Sequence, residues 1–337
     1  MKAAGLDYST RRLTVRELPE PEPSPSEVLL EVVEVGVCGT DRELARFPLG
    51  FPPAGQDFLT LGHEAVARVV DPGPSGSGLK RGDWVVPQVR RPCASRCASC
   101  ARGRRDLCLT GTAPDRGITG IHGYLSTFAV DRPEDLVRIP EALLDVAVLI
   151  EPMSVVEKAL ETALRYHEHD PRTALVMGAG PIGILSALLL QHRGFDVTVA
   201  SLESKNEPRV RLLERAGIAY SCGFEGVRPA DIVVEATGSP NAALAGFSLL
   251  APLGVYAIVG ASEPTGKIPL VDMVVKNQVV FGTVNASPRA FESAVSDLAA
   301  LDRGILQGMI RRVRFDGFEE TILQPSRDVV KFVHCVE

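Results

Sequence analysis

The spacing of apolar and polar residues divides the chain into two halves with different rhythms. Over residues 1–150, short apolar-rich pieces recur between turn signals: Leu13–Leu18, Glu27–Val37, Ala65–Val70, Asp83–Val89 and Leu125–Val130. Pieces of that length predict strands of a compact β barrel or sandwich. The run Pro-Glu-Pro-Glu-Pro-Ser-Pro at 19–25 reads as a stiff surface connection, and 72–78 as a flexible turn. Apolar residues at 155, 156, 159, 160, 163 and 164 then mark one face of a 3.6-residue period, predicting a bridging helix over 155–168. From Thr173 the rhythm becomes strand–helix alternation, with strands over 173–177, 196–202, 231–236, 254–260 and 278–284. Helices fill 181–193, 207–216 and 240–250, the pattern of a doubly wound parallel sheet. The tail, 288–337, holds one helix (289–301) and short strands, and is expected to return to the first domain. The fold class is α/β. A β-rich domain is expected from 1–154 and 288–337, and a parallel-sheet domain from 155–287.

At the head of the second half stands Leu175–Gly183, LVMGAGPIG. Gly178, Gly180 and Gly183 are spaced G-x-G-x-x-G between a strand and a helix, the setting of a dinucleotide-binding Rossmann turn. Gly178 permits the tight turn, Gly180 leaves room for a pyrophosphate, and Gly183 lets the helix pack close to the strand. The helix start at Pro181 and Ile182 offers free N–H groups and a positive dipole end to the phosphates. The expected cofactor-binding set adds Ser201, Glu203 and Lys205 after the second strand, with Thr237, Gly238, Val259, Gly260 and Thr283 further on. Taken without its context, the glycine triplet is a turn in some other α/β protein.

The 337 residues are enough for two cores, and the net charge of −6 argues against a nucleic-acid partner. The clusters Arg90–Arg91 and Arg102–Arg105 read as a solvated loop. No apolar stretch is long enough to span a bilayer, and the N-terminus lacks the apolar run of a signal peptide. A cytoplasmic protein without a membrane partner is expected. Seven cysteines, four of them between Cys93 and Cys108, read in a reducing compartment as metal binding rather than disulfides.

Two groups of residues carry candidate chemistry. Cys38 in GVCGTD, His63 and Glu64 in LGHEA and Glu151 in LIEPMS each stand at a strand end or tight loop. A thiolate, an imidazole and carboxylates suit zinc, and three protein ligands with an open position make a catalytic site. Singly, Cys38 is equally a small buried hydrophobe, His63 a satisfied core histidine and Glu64 a surface charge. Cys93, Cys97, Cys100 and Cys108 are spaced C-x3-C-x2-C-x7-C, which favours a closed, structural zinc site. The alternative is four reduced thiols in a mobile lobe. Loss of this metal is expected to loosen 90–110 and leave the chemistry in place.

The motifs GVCGTD, LGHEAVARVV, GDWVVP, the Cys93–Cys108 cluster and VMGAGPIG occur in the order seen in the zinc-dependent medium-chain alcohol dehydrogenase superfamily. VVPQVRRPC, DRGITGIHGY, LIEPMSVVEKAL and GTVNASPRAFES further resemble its archaeal-type glucose dehydrogenase branch. The resemblance implies a GroES-like catalytic domain, a Rossmann cofactor domain and two zinc ions per chain. It places catalytic zinc contacts on Cys38, His63 and Glu64, with Glu151 a ligand or substrate partner that exchanges with water. It makes Thr40 the proton-relay hydroxyl, although by position alone Thr40 reads as a helix N-cap. Asp41 is placed to orient His63. Asp115, His122, Glu151 and Asn285 become the sugar contacts, Asp115 standing where the resembled enzymes have Glu. The family has two residues, not three, between its first two clustered cysteines.

The resembled branch has Asn-Arg-Arg where this chain has Ser201, Leu202 and Glu203. A carboxylate about 4 Å from a 2′-phosphate costs about 1–4 kcal/mol, which favours NAD over NADP; Lys205 and Arg209 are the groups that would favour NADP. The resemblance implies oxidation of an aldose to its lactone. A polyol, secondary-alcohol or amino-alcohol dehydrogenase is the neighbouring reading, and a non-catalytic nucleotide sensor the remote one. Relatives form dimers or tetramers, and the apolar strands Val255–Val259 and Val279–Val284 are candidates for pairing between subunits of a homo-oligomer.

Overall fold

The computed structural model describes residues 1–47, 49–260, 266–324 and 326–336. Its first half is formed by β1 (Lys2–Asp7), β2 (Arg12–Glu17), β3 (Val28–Gly36), β4 (Phe58–Thr60), β5 (Glu64–Asp71), β6 (Trp84–Pro87), β7 (Asp115–Arg116), β8 (Gly120–Ile121), β9 (Phe128–Asp131) and β10 (Leu136–Arg138). The second half contributes β11 (Thr173–Met177), β12 (Asp196–Ser201), β13 (Ala219–Cys222), β14 (Ala230–Glu235), β15 (Leu250–Ile258) and β16 (Val279–Gly282). The tail adds β17 (Ile310–Arg314) and β18 (Lys331–Cys335). The helices are α1 (Gly39–Leu44), α2 (Ala98–Ala101), α3 (Ile150–Tyr166), α4 (Pro181–His192), α5 (Pro208–Arg215), α6 (Pro240–Gly246), α7 (Leu270–Lys276), α8 (Pro288–Ala300), α9 (Arg303–Met309) and α10 (Phe318–Leu323).

The larger sheet of the first half runs β10-β6-β5-β3-β18-β17, with β9 also on β3, and a small sheet runs β2-β1-β4. β3 is rich in β-branched residues and sits between neighbours on both sides, as its Val-Val-Glu-Val stretch favours. Its antiparallel register sets Gly36 opposite Glu64 on β5 and opposite Val333 on β18. That pairing brings the end of the chain, Lys331 included, to the strand end that leads into Cys38.

In the second half the order is β13-β12-β11-β14-β15-β16, every pair parallel. This is the doubly wound order that opens a crevice at the carboxyl ends of β11 and β14. α4 is buried from Gly183 to Leu190. The bridging helix α3 starts at Ile150, five residues earlier than its apolar period alone indicates, because the buried turn Ala147–Leu149 feeds directly into it. The earlier start sets Glu151 in the first turn.

The tail divides. α8 does not return to the first domain. Ala290, Phe291, Ala294 and Leu298 are buried in one core with Val156 and Leu160 of α3 and Leu188 of α4, and Arg193 after α4 pairs with Asp297 at 2.5 Å. The return is made by β17, β18 and α10, whose Phe318 and Ile322 are buried in the core of the first domain. β15 begins at Leu250, ahead of the expected 254, so Val259 and Gly260 lie beyond its end. β1, β4, β7, β8, β10 and β13 lie outside the stretches expected from the sequence; each is short or lies in a segment without a sustained apolar pattern. Truncating Phe291, 1% exposed, to Ala is expected to cost about 3–5 kcal/mol, read as a lower urea midpoint.

Candidate active site

Cys38 is the N-cap of α1, and its N–H donates to Asp41 Oδ2 at 2.8 Å. Thr40 is therefore not the cap but stands inside the first turn, its Oγ1 3.7 Å from Cys38 Sγ. His63 and Glu64, 4% and 1% exposed, sit at the head of β5. A Cβ at Gly36 would collide with Glu64 Oε2, so the glycine is what allows the carboxylate to lie against β3. Cys38, His63 and Glu64 offer ligand atoms that all lie within 4.8 Å of one another. Two of the three depart from their bland reading: Glu64 is not a surface charge, and His63 Nδ1 has no hydrogen-bond partner. That nitrogen lies 3.6 Å from Asp41 Oδ1, which leaves Nε2 for the cluster.

The electrostatics of this cluster call for a cation. Burial opposes a charge on His63, yet Asp41 and Cys38 outweigh it and hold the imidazole pKa well above its ordinary value. Burial also pushes the Glu151 carboxyl up to about 7, with His63 opposing and Glu64 reinforcing the shift. Glu151, 7% exposed, stands beside the trio but outside its 4.8 Å grouping. Lys331 is 2% exposed; its Nζ pairs with Glu64 and donates to Val37 O at 3.1 Å. A soft and hard donor set around unsatisfied negative charge fits zinc.

The proposed sugar contacts divide. Asp115 is gripped by Arg90 in a two-point pair, Nε to Oδ1 and Nη2 to Oδ2, both at 2.9 Å. With its amide oxygen turned to Arg90, Asn285 accepts from Nη2 at 2.9 Å. Arg90 thus joins two residues expected at the substrate and is not part of a solvated loop. Arg91 and Arg105 are likewise buried, in pairs with Asp131 and Asp135. His122 departs from the expectation. Its Nδ1 accepts from Thr60 N at 3.1 Å and its Nε2 meets Gln56 Oε1 at 2.7 Å. Burial, with Arg116 nearby, lowers its pKa, so the ring is neutral and both nitrogens are already engaged.

In the cofactor groove Gly178 has φ +106°, a Cβ on Gly183 would collide with Gly178 O, and Gly180, the N-cap of α4, faces open space. Those are the three separate roles the spacing assigns. Ser201 Oγ meets Tyr220 Oη at 2.9 Å, and Lys205 is exposed. Glu203 pairs with Arg209 at 3.4 Å, and Arg209 Nη2 donates to Ser326 O and Val329 O at 3.0 and 2.9 Å. Arg209 is therefore occupied with the tail rather than free for a phosphate.

Glu235, unnoticed in the sequence, links the remaining cofactor positions. Fully buried at the end of β14, its Oε1 accepts from Thr237 N at 2.7 Å, Gly238 N at 3.1 Å and the Thr237 hydroxyl. Its backbone oxygen accepts from Val259 N and Gly260 N, both at 3.0 Å. A cleft of about 1070 Å³ opens there, bordered by Val259, Gly260 and Thr283 on one side and Leu49 and Leu107 on the other. The visible signal was a carboxylate ending an apolar strand just before Thr-Gly.

Cys93, Cys97, Cys100 and Cys108 bring their sulfurs within 4.8 Å of one another. Within the three-residue first gap, Arg96 takes φ +48° just before Cys97. The Ser95 hydroxyl and the Cys97 N–H pull the Cys93 thiol down to about 5, whereas burial pushes the Cys100 thiol up to about 12.

Two family models match: an alcohol dehydrogenase GroES-like domain over 24–141, and a glucose dehydrogenase C-terminus over 144–334, more than half of the chain. The chain belongs to the glucose dehydrogenase branch of the zinc-dependent medium-chain dehydrogenases. Within that branch it is 38% identical to a glucose 1-dehydrogenase of Methanocella arvoryzae, over 98% of each protein. It is 40% identical to one of Thermoproteus tenax over 85% of this chain and 84% of that one. Glucose dehydrogenase of Haloferax mediterranei, solved with NADP, zinc and gluconolactone, superposes with a TM-score of 0.92 at 32% identity, covering 100% of this chain and 99% of that one. Replacing Glu235 by Gln is expected to raise the KM for the dinucleotide about tenfold, because charge-assisted acceptance from three donors is lost; initial rates at saturating sugar measure it.

Proposed function

We propose that this chain oxidises the anomeric hydroxyl of an aldose, glucose or a close relative, to the lactone. The observation that carries the reading is the buried Cys38–His63–Glu64 cluster, on a chain whose Haloferax relative holds zinc, NADP and gluconolactone. When bound, zinc would acidify the sugar hydroxyl and the dinucleotide would take the hydride from the same carbon. Cys38, His63 and Glu64 would hold the metal, with Glu151 beside it. Asp41 fixes the His63 ring, and Lys331 balances the buried Glu64 charge. Thr40, beside Cys38 in the first turn of α1, passes the hydroxyl proton outward. Asp115 and Asn285, set by Arg90, orient the sugar, and the four cysteines hold a second, structural zinc.

The NADP held by the Haloferax relative supports NADP as the dinucleotide, and Glu203, just after β12, is the residue that would shift the preference towards NAD. Pairing with Arg209 reduces the repulsion Glu203 would exert on a 2′-phosphate. Glu203→Ala is expected to raise the NADP-to-NAD ratio of kcat/KM about tenfold.

Among the described residues, no helix is long and apolar enough to cross a membrane; a cytoplasmic enzyme is the reading we favour. A homo-oligomer is the second part of it. Of the two candidate stretches, residues 255–258 lie in β15, an interior strand, while residues 279–282 form β16, at one edge of the sheet. Beside it α7 exposes Leu270, Val271, Val274 and Val275.

A panel of aldoses, polyols and simple alcohols with each cofactor tests the assignment: turnover of simple alcohols alone would remove the sugar. Cys38→Ser is expected to lower kcat at least about a hundredfold and to take bound zinc from two ions per chain to one. A native protein carrying one zinc would instead favour a nucleotide sensor.

A further inference from the structure

Asn285 has φ +59°, a left-handed conformation that a residue with a side chain keeps only when its surroundings impose it. Two contacts impose it. One is Arg90, three residues before Cys93, whose guanidinium meets the Asn285 amide oxygen. The other acts on the preceding peptide: Lys158 Nζ donates to Val284 O at 2.8 Å.

Lys158 has a second partner, Asp106 Oδ2 at 3.1 Å, whose carboxylate has no exposed surface. Asp106 lies between the third and fourth clustered cysteines, and Arg104 spans both of its oxygens, Nη2 to Oδ2 at 2.9 Å and Nε to Oδ1 at 3.0 Å. Burial works against the Lys158 charge, and Asp106 supports it. On α3, Lys158 falls seven residues after Glu151, so the two share a helix face about 10 Å apart. The face that presents Glu151 to the Cys38 cluster therefore presents Lys158 to the Asn285 segment.

We propose that Lys158 is a positioning residue for substrate recognition: by tying Val284 O to Asp106 in the four-cysteine lobe, it holds Asn285 where the sugar is read. This rests on the proposal that Asn285 contacts the sugar. Loosening of the lobe would then spare the hydride step but not the seat of the substrate.

The test compares the zinc-loaded wild type with Lys158→Met, Lys158→Arg and Asp106→Asn. Lys158→Met is expected to raise the aldose KM at least about tenfold, with kcat within about threefold and the dinucleotide KM, because Thr283 borders its cleft, raised by no more than about threefold. Lys158→Arg, which keeps the charge and donors, should recover most of the loss. Amide hydrogen exchange over 283–287, without sugar or cofactor, should accelerate in Lys158→Met and not in Lys158→Arg. An unchanged sugar KM and unchanged exchange in a folded, two-zinc Lys158→Met enzyme would overturn the proposal, as would equal losses in kcat and both KM values. Should Lys158→Met fail to fold, Asp106→Asn, which removes the anchoring charge, is held to the same outcomes. A wild type that turns over no aldose removes the sugar reading, and the exchange experiment still decides whether Lys158 holds the segment.

Discussion

Concentrated negative charge in the interior is the constraint on which the catalytic half depends. Asp41, Glu64 and Glu151 are buried around the half-buried Cys38, and the groups of the chain that answer them are Lys331 and the imidazole of His63. A buried carboxylate or thiolate without a counter-charge is costly enough to shift its pKa or open the structure. The negative potential that lifts the His63 pKa is therefore a binding potential for a divalent ion. It also explains why β18 must join β3: without that pairing Lys331 would not reach Glu64.

α3 unites the two halves. Its buried side chains belong to the core that also contains Val66 and Val333 of the first sheet and Val176 and Ile184 of the Rossmann domain. One rigid helix thus fixes the distance between the Cys38 cluster and the dinucleotide crevice. The crevice is ordered in turn by Glu235, which secures the loops after β14 and β15 with one side chain and one carbonyl. Hydride transfer requires two bound groups at near-contact distance, and such geometry comes from fixed supports.

What could be read from the chain beforehand was whatever is local. The glycine spacing after an apolar strand located the cofactor turn, and α4 and β11 lie within a residue of their expected limits. Cys38, His63 and Glu64 could be named, but their convergence depends on the β3–β5 register, which no single segment encodes. Lys331 carries no local signal, because it lies far from its partner in sequence and looks like any strand-end lysine. Arg90 reads as solvated in the sequence because its partners, Asp115 and Asn285, come from separate loops. His122 was assigned to the substrate because nothing in GIHGY reveals the Thr60 amide and Gln56 that occupy it.

The left-handed Arg96 has a consequence for how such lobes diverge. Between Cys93 and Cys97 the backbone reverses at one residue, and the four sulfurs remain clustered. A substitution at Arg96 that resists a positive φ, such as a β-branched residue, would strain the gap rather than any of the ligands.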